Sequence, residues 1–205
     1  MYQGILIYYQ TYIFDNKIIK GNSIISEDQN NVIVLFCDIC EFEKIVAQEQ
    51  ANLIKLLDSL YRIFDQLCLK NNVQKIETVG KTYMACAGLK ECEIDCKLDR
   101  SYSRNCANRV INLALDMLKY SRHYTWGEKG TPISLKIGIH NGPVIAGVIG
   151  FHKPQFSLIG DTINTTSRVT ATAEANIVTI SESVYDVIRK NSHEFNSKMR
   201  KVQVK

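Results

Sequence analysis

The run Val32-Ile33-Val34-Leu35-Phe36-Cys37 constrains the fold of this chain more than any other stretch. It is continuously apolar and β-branched at its start, with no polar face to turn to water, which suits a strand buried on both sides. Such a strand needs covering elements, and the sequence supplies them. Within 42–70, apolar residues at 53, 56, 57, 60, 64 and 67 share one helical face, so one long amphipathic helix is expected there. Residues 73–78 and 83–87 read as two short strands joined by a tight turn at Gly80 and Lys81, because glycine tolerates positive φ. A polar, cysteine-bearing inserted loop is expected over 90–105, and Ala107, Val110, Ile111, Ala114, Met117 and Leu118 then mark a second amphipathic helix. Two apolar runs, 133–140 and 143–149, flank Asn141-Gly142; that dipeptide predicts a hairpin, since both residues accept the left-handed conformation of a type I′ turn. A loop, a helix from about Thr162, a short strand at 177–180 and a helix opened by Ser181 follow.

Strand, helix, strand, strand, helix, strand is the order of a ferredoxin-like βαββαβ core. The expected class is α+β, an antiparallel sheet flanked by helices with a C-terminal extension. At 205 residues, with 45% hydrophobic and 22% charged residues and only 11 Gly and 3 Pro, the chain is one globular domain rather than a disordered or collagen-like one. Residues 1–31 lack periodicity and read as a leader or linker before a domain over 32–205. Of the net charge of +4, residues 189–205 carry +5, with six Lys and Arg against one acid, which leaves the remainder at −1. The basic surplus is thus a tail, and a basic groove with interleaved aromatics, as nucleic acid would need, is absent. Seven cysteines, some inside apolar strand-like runs, point to a reducing compartment. Cys37 and Cys40 form a CxxC with no second pair at zinc-site spacing. The apolar run at 4–9 is far shorter than the ~20 residues of a membrane helix, so no membrane contact is expected of this segment.

Four places are more polar, or more glycine-rich, than a core requires. Asp38 ends the buried strand; desolvating a carboxylate there is costly, so it is either a ligand for a hard cation such as Mg²⁺ or the N-cap of the next segment. In Lys75-Ile76-Glu77-Thr78-Val79, alternation puts Lys75, Glu77 and Val79 on one face, where Glu77 is either functional or merely solvated. The small residues at 142, 146, 147 and 150 admit close approach of a ligand or of another backbone. Asn164 and Arg168, four apart on one helix face beside Gly160, suit a sugar and a phosphate, or else Arg168 is a surface ion pair.

The strings FCDI (36–39), KIETVGKTYMA (75–85), IGIHNGPVIAGVIG (137–150), KPQF (153–156) and GDTINTTSR (160–168) together resemble the catalytic domain of the class III adenylyl and guanylyl cyclases, in family order over about 32–187. The resemblance implies a dimer of two such domains with the active site between them, where the ribose 3′-hydroxyl attacks the α-phosphate, a 3′,5′-cyclic nucleotide forms and pyrophosphate leaves. Two Mg²⁺ or Mn²⁺ ions assist, held by aspartates of one domain. The other domain recognises the base and supplies an Asn for the ribose and an Arg for transition-state charge. Carried over, Asp38 falls on the first metal aspartate and Ile39 on a position whose carbonyl assists. Glu77 falls on the main base-selecting position, where Glu implies guanine and hence GTP, and Lys would imply adenine. Ser157, with Leu158 beside it, lies at the second base-contacting position; its hydroxyl departs from the usual Cys or Asp and leaves an adenylyl cyclase half as an alternative. Asn164 and Arg168 match the ribose and transition-state residues.

The sharper departure is Lys81, which stands where the family has its second metal aspartate and cannot bind Mg²⁺. GKTYMA and GVIGFHKPQF are also similar to the second, metal-free half of two-domain cyclases. The resemblance therefore implies the guanine-recognising half of a guanylyl cyclase, its metal aspartates coming from a homologous partner domain in the same or another chain. A non-catalytic regulatory domain that keeps the fold is the rival, with Lys81 as its support. The implied setting is a cytosolic domain, in related proteins often part of a larger membrane protein. A phosphate-contacting lysine of the family lies just beyond a pair like Val204-Lys205, so a fragment ending before its last hairpin is expected.

Overall fold

The computed structural model describes residues 26–89, 100–150, 152 and 155–189. Its elements are β1 (Ser26–Ile39), α1 (Phe42–Gln48), α2 (Leu53–Lys70), β2 (Gln74–Val79), β3 (Thr82–Ala87), α3 (Arg100–Ser121), a small ribbon of β4 (Thr125–Trp126) and β5 (Thr131–Pro132), then β6 (Leu135–Ile149), β7 (Gln155–Ile159), α4 (Asp161–Ala171), β8 (Ile177–Ile180) and α5 (Glu182–Ile188). The main sheet runs β2-β3-β1-β6-β7, with β8 parallel to β6. Counted as a four-strand core, β2-β3-β1-β6 is antiparallel throughout and is the expected ferredoxin-like arrangement.

The opening run behaves as its composition demands. Val32, Ile33, Val34 and Leu35 have no exposed surface. Ile33, Leu35, Cys37 and Ile39 face one core, with Leu60 and Phe64 of α2 and Ala107 and Val110 of α3. Val32 and Val34 face a second core with Met84, Val144 and Leu158, against which Phe36, Ile76, Phe156 and Ile163 pack. At about 1.5–3 kcal/mol per fully buried aliphatic side chain, this strand is the main stabilising element on both sides of the sheet.

Several expectations are corrected. β1 starts at Ser26, ahead of Val32, because residues 26–29 pair with 144–147 of β6 beyond a register shift between Gln29 and Val32. The expected helix over 42–70 is two helices, broken where Glu49 turns its carboxylate to the backbone N–H of Gly127 at 2.7 Å. The inserted loop is helical from Arg100, and residues 90–99 lie outside the described residues. Residues 190–205 of the basic tail and residues 1–25 of the expected 1–31 leader also lie outside them.

The largest correction concerns Asn141-Gly142. There is no hairpin: β6 runs unbroken for 15 residues, and neither residue has a positive φ. The dipeptide instead marks a change of neighbour along one strand. Residues 136–139 pair with β8, whereas 145–149 pair with β7. In the gap, Ser183 Oγ donates to the Asn141 carbonyl at 3.0 Å and Thr162 Oγ1 to the Pro143 carbonyl at 2.6 Å. Pro143 has no N–H to leave unpaired there. The strand expected to be a loop after β6 is β7, so the true hairpin is β6–β7.

Glycines in β6 seat α4 directly on the sheet. A Cβ at Gly138 would lie 2.5 Å from the Thr170 nitrogen and 2.7 Å from its Cα; one at Gly142 would meet Thr162 Oγ1 at 2.4 Å. The close approach foreseen for this segment is thus made by a helix of the same chain. Thr162, Thr166 and Thr170 form its buried stripe, with Thr166 and Thr170 donating back to the preceding turn's carbonyls at 2.7 and 2.8 Å. Gly138→Ala is expected to cost about 2 kcal/mol, or roughly 4–8 °C in Tm, because the clash is with backbone. Gly142→Ala should cost less, since a side-chain hydroxyl can rotate away. Thermal melts of both variants check the order, and equal losses contradict it.

Candidate functional site

The β2–β3 hairpin is held by α2. Gly80 takes φ of 55° in the turn, and its carbonyl accepts from Tyr61 Oη at 2.8 Å. Tyr83 Oη donates to Asp65 at 2.7 Å. Lys75 pairs with the same carboxylate at 2.7 Å and lies 5.3 Å from the Tyr83 ring centroid. Burial, first, and then the neighbouring Cys68 push the Tyr83 phenol upward, so it stays a neutral donor. A register shift sits between Lys75, opposite Ala85, and Glu77, opposite Met84. Strict alternation is therefore broken: Lys75 turns to the side covered by α2 and α3, and Glu77 to the side of Met84 and Phe36, the face on which α4 lies.

That face carries two successive rows across the sheet. Glu77, Met84, Phe36 and Gly138 are cross-strand neighbours in one; Val79, Thr82, Asp38 and Lys136 are neighbours in the next. At the first row, β7 curls round from the opposite edge of the sheet. Phe156 and Leu158 pack in the second core with Ile76, and Gln155 Nε2 donates to Glu77 Oε2 at 2.6 Å, joining residues 78 positions apart. Ser157 is half-buried between Phe156 and Leu158, so alternation turns its hydroxyl to the other side of β7. Leu158 is 6% exposed with its side chain in the core, which leaves only its backbone to meet a ligand.

In the second row Asp38 Oδ1 accepts from Thr82 Oγ1 at 2.7 Å. The buried Ile39 donates its N–H to the Lys81 carbonyl at 3.1 Å, which fixes the turn against the end of β1. Lys136 is the direct cross-strand partner of Asp38. Half-burial raises the Cys40 thiol, and the charges of Lys136 and Lys81 both act against that rise, so both ammonium groups lie within electrostatic reach of this end of β1. Among the described residues no cluster of three or more His, Cys, Asp or Glu could hold a metal ion. One hydroxyl-bonded carboxylate between two lysines does not fit a divalent cation. The CxxC reading fares no better: Cys37 and Cys40 are free thiols, and complete burial pushes Cys37 well above its usual range.

α4 presents Asn164 and Arg168 on its exposed face, one turn apart and opposite the threonine stripe. Arg168 forms no ion pair among the described residues. Thus Glu77 is tied to the strand that bears Ser157, and that strand leads through Gly160 into the helix that bears Asn164 and Arg168. Sequence reasoning singled out neither Gln155 nor Lys136. Gln155 is a polar residue with no periodic role at a strand start, and Lys136 is a lone cation in an apolar strand; strand register alone reveals what they face.

The family described as the adenylate and guanylate cyclase catalytic domain matches residues 24–205. Guanylate cyclase beta of Plasmodium falciparum is 37% identical over 93% of the chain, which spans 6% of that relative's length. Guanylate cyclase soluble subunit beta-2 of Homo sapiens is 33% identical over 85% of the chain and 27% of its own length. The crystal structure of the guanylate cyclase domain of RhGC from Catenaria anguillulae, in complex with GTP, superposes with a TM-score of 0.68 at 31% identity, covering 78% of this chain and 83% of that one. Among the described residues no helix is long and apolar enough to cross a membrane.

Proposed function

The chain belongs to the adenylate and guanylate cyclase catalytic domain family, and from that premise we propose that it is the base-recognising half of a guanylyl cyclase, which makes 3′,5′-cyclic GMP and pyrophosphate from GTP. In this reading Glu77 accepts from guanine N1–H and the exocyclic amine, and Ser157 meets the O6 edge. Asn164 orients the ribose, and Arg168 faces the charge that grows on the phosphates as the 3′ oxygen bonds to the α-phosphorus and the bond to pyrophosphate breaks. The observation that carries it is the Gln155–Glu77 hydrogen bond, which anchors the base-selecting carboxylate beside the strand of Ser157.

The metal side is assigned to a homologous partner domain, in the same or another chain, because Asp38 stands between Lys81 and Lys136. That partner supplies the carboxylates for Mg²⁺ or Mn²⁺. The segment acts as a cytosolic domain.

The purified chain alone is expected to make almost no cyclic GMP with either metal. Mixed with a homologous cyclase domain carrying Asp at the positions of both Asp38 and Lys81, it should gain about a hundredfold or more in synthesis. Robust Mg²⁺-dependent synthesis by the pure chain overturns the reading. Lys81 also favours a second one, a non-catalytic regulatory domain that assembles with such a partner; it predicts that the mixture's turnover is indifferent to Arg168.

A further inference from the structure

We propose that the sheet end formed by Asp38, Lys81 and Lys136 binds a phosphate group directly, without a metal ion. The inference takes from the proposed function only that Asp38 stands where the family has a metal carboxylate. It begins with two half-buried lysines that form no ion pair among the described residues. Lys136 faces Asp38 across β1–β6, and Lys81 sits in the turn whose carbonyl is pinned by the Ile39 N–H. Asp38 is in turn committed to Thr82. The other nearby acid, Glu41, is taken up by its ion pair with Lys44. Two positive charges against one negative leave a surplus of one on a partly desolvated surface, and that surplus selects an anion.

The carboxylate between them has a role in such a site. Both ammonium groups act on the Cys40 thiol at this end of β1, and Asp38, the cross-strand partner of Lys136, offsets part of the positive charge there while leaving donor hydrogens on both. Each lysine offers three donors, and a phosphate carries close to two negative charges with several acceptor oxygens, so it matches the pair better than a single carboxylate does. The ammonium groups here replace a metal as the positive charge rather than recruiting one.

The test is titration calorimetry on the full chain, using inorganic tripolyphosphate and GTP, first in excess EDTA and then in excess Mg²⁺. Tripolyphosphate is expected to bind in EDTA and to bind no more tightly with Mg²⁺. Lys81→Gln and Lys136→Gln should each weaken it about tenfold, with thermal midpoints confirming that both variants are folded. Lys81→Asp should abolish binding in EDTA. Binding that requires Mg²⁺, or equal binding by the parent and both Gln variants as the basic tail would give, overturns the proposal. GTP separates the sources: an affinity equal to that of tripolyphosphate means the phosphates alone are read. Lys55→Gln, which removes an exposed lysine of α2 outside the site, serves as the independent control. Tripolyphosphate binding should ignore this change, and because tripolyphosphate has no base, guanine recognition can fail or hold without touching the phosphate result.

Discussion

Arg168→Ala, introduced into this chain and assayed in a pair with a metal-bearing partner domain, should lower kcat by about 10²–10³-fold while leaving KM for GTP within a few-fold. The split follows from where charge appears. The triphosphate is already charged in the ground state, but the bridging oxygen to pyrophosphate gains charge only as its bond breaks, so a guanidinium aimed there acts on the transition state. Arg168 is suited to that task because it is exposed on α4, one turn from Asn164, and no acid among the described residues claims it. Its helix is held rigidly, since the threonine stripe seats on Gly138 and Gly142. Arg168→Lys should recover only part of the loss, because an ammonium keeps the charge without the planar fork. Single-turnover and steady-state rates with GTP are the measurements. An unchanged kcat in the Ala variant would favour the regulatory reading and remove Arg168 from the catalytic machinery.

What was legible in the sequence divides along physical lines. Elements dictated by local pattern were readable: the doubly buried run at 32–37, the apolar face at 53–67 and the glycine turn at 80. Each depends on periodicity or on the conformation of one residue. The misreadings within the sheet all involve long-range pairing. Asn141-Gly142 has the composition of a turn, but β1 is long enough to pair with β6 on both sides of it, and two different neighbours satisfy the other edge. β7 was invisible because five residues of mixed polarity gain strand structure only by pairing with β6. The face of Glu77 depended on a bulge that alternation cannot foresee. At the candidate site, Asp38, Glu77, Asn164, Arg168 and the anomaly of Lys81 were found as types in motifs. The partners that shape their chemistry, Gln155 and Lys136, were not, because each becomes meaningful only opposite a particular residue on another strand.

The largest change of specificity should come from Glu77→Lys combined with Ser157→Asp. Guanine presents two donors, N1–H and the exocyclic amine, to a carboxylate, whereas adenine presents an acceptor at N1 and a donor at its own amine. Lysine at 77 would donate to adenine N1 and meet guanine donor to donor; aspartate at 157 would accept from the adenine amine and repel guanine O6. With about 2 kcal/mol of discrimination at each of two contacts, the ratio of kcat/KM for GTP over ATP should fall by roughly a thousandfold. Gln155 makes the exchange tolerable. Its amide now donates to Glu77 at 2.6 Å, and a rotated amide presents its carbonyl to a lysine in the same place. Each single substitution should move the ratio less than the pair does, and Gln155→Leu should lower kcat/KM for GTP without favouring ATP, since it loosens the carboxylate rather than changing its sign. The assay is competition between the two nucleotides in the assembled pair. If the double variant keeps the GTP preference of the parent, Glu77 and Ser157 are not the residues that read the base, and the curl that brings β7 to β2 serves the second core alone.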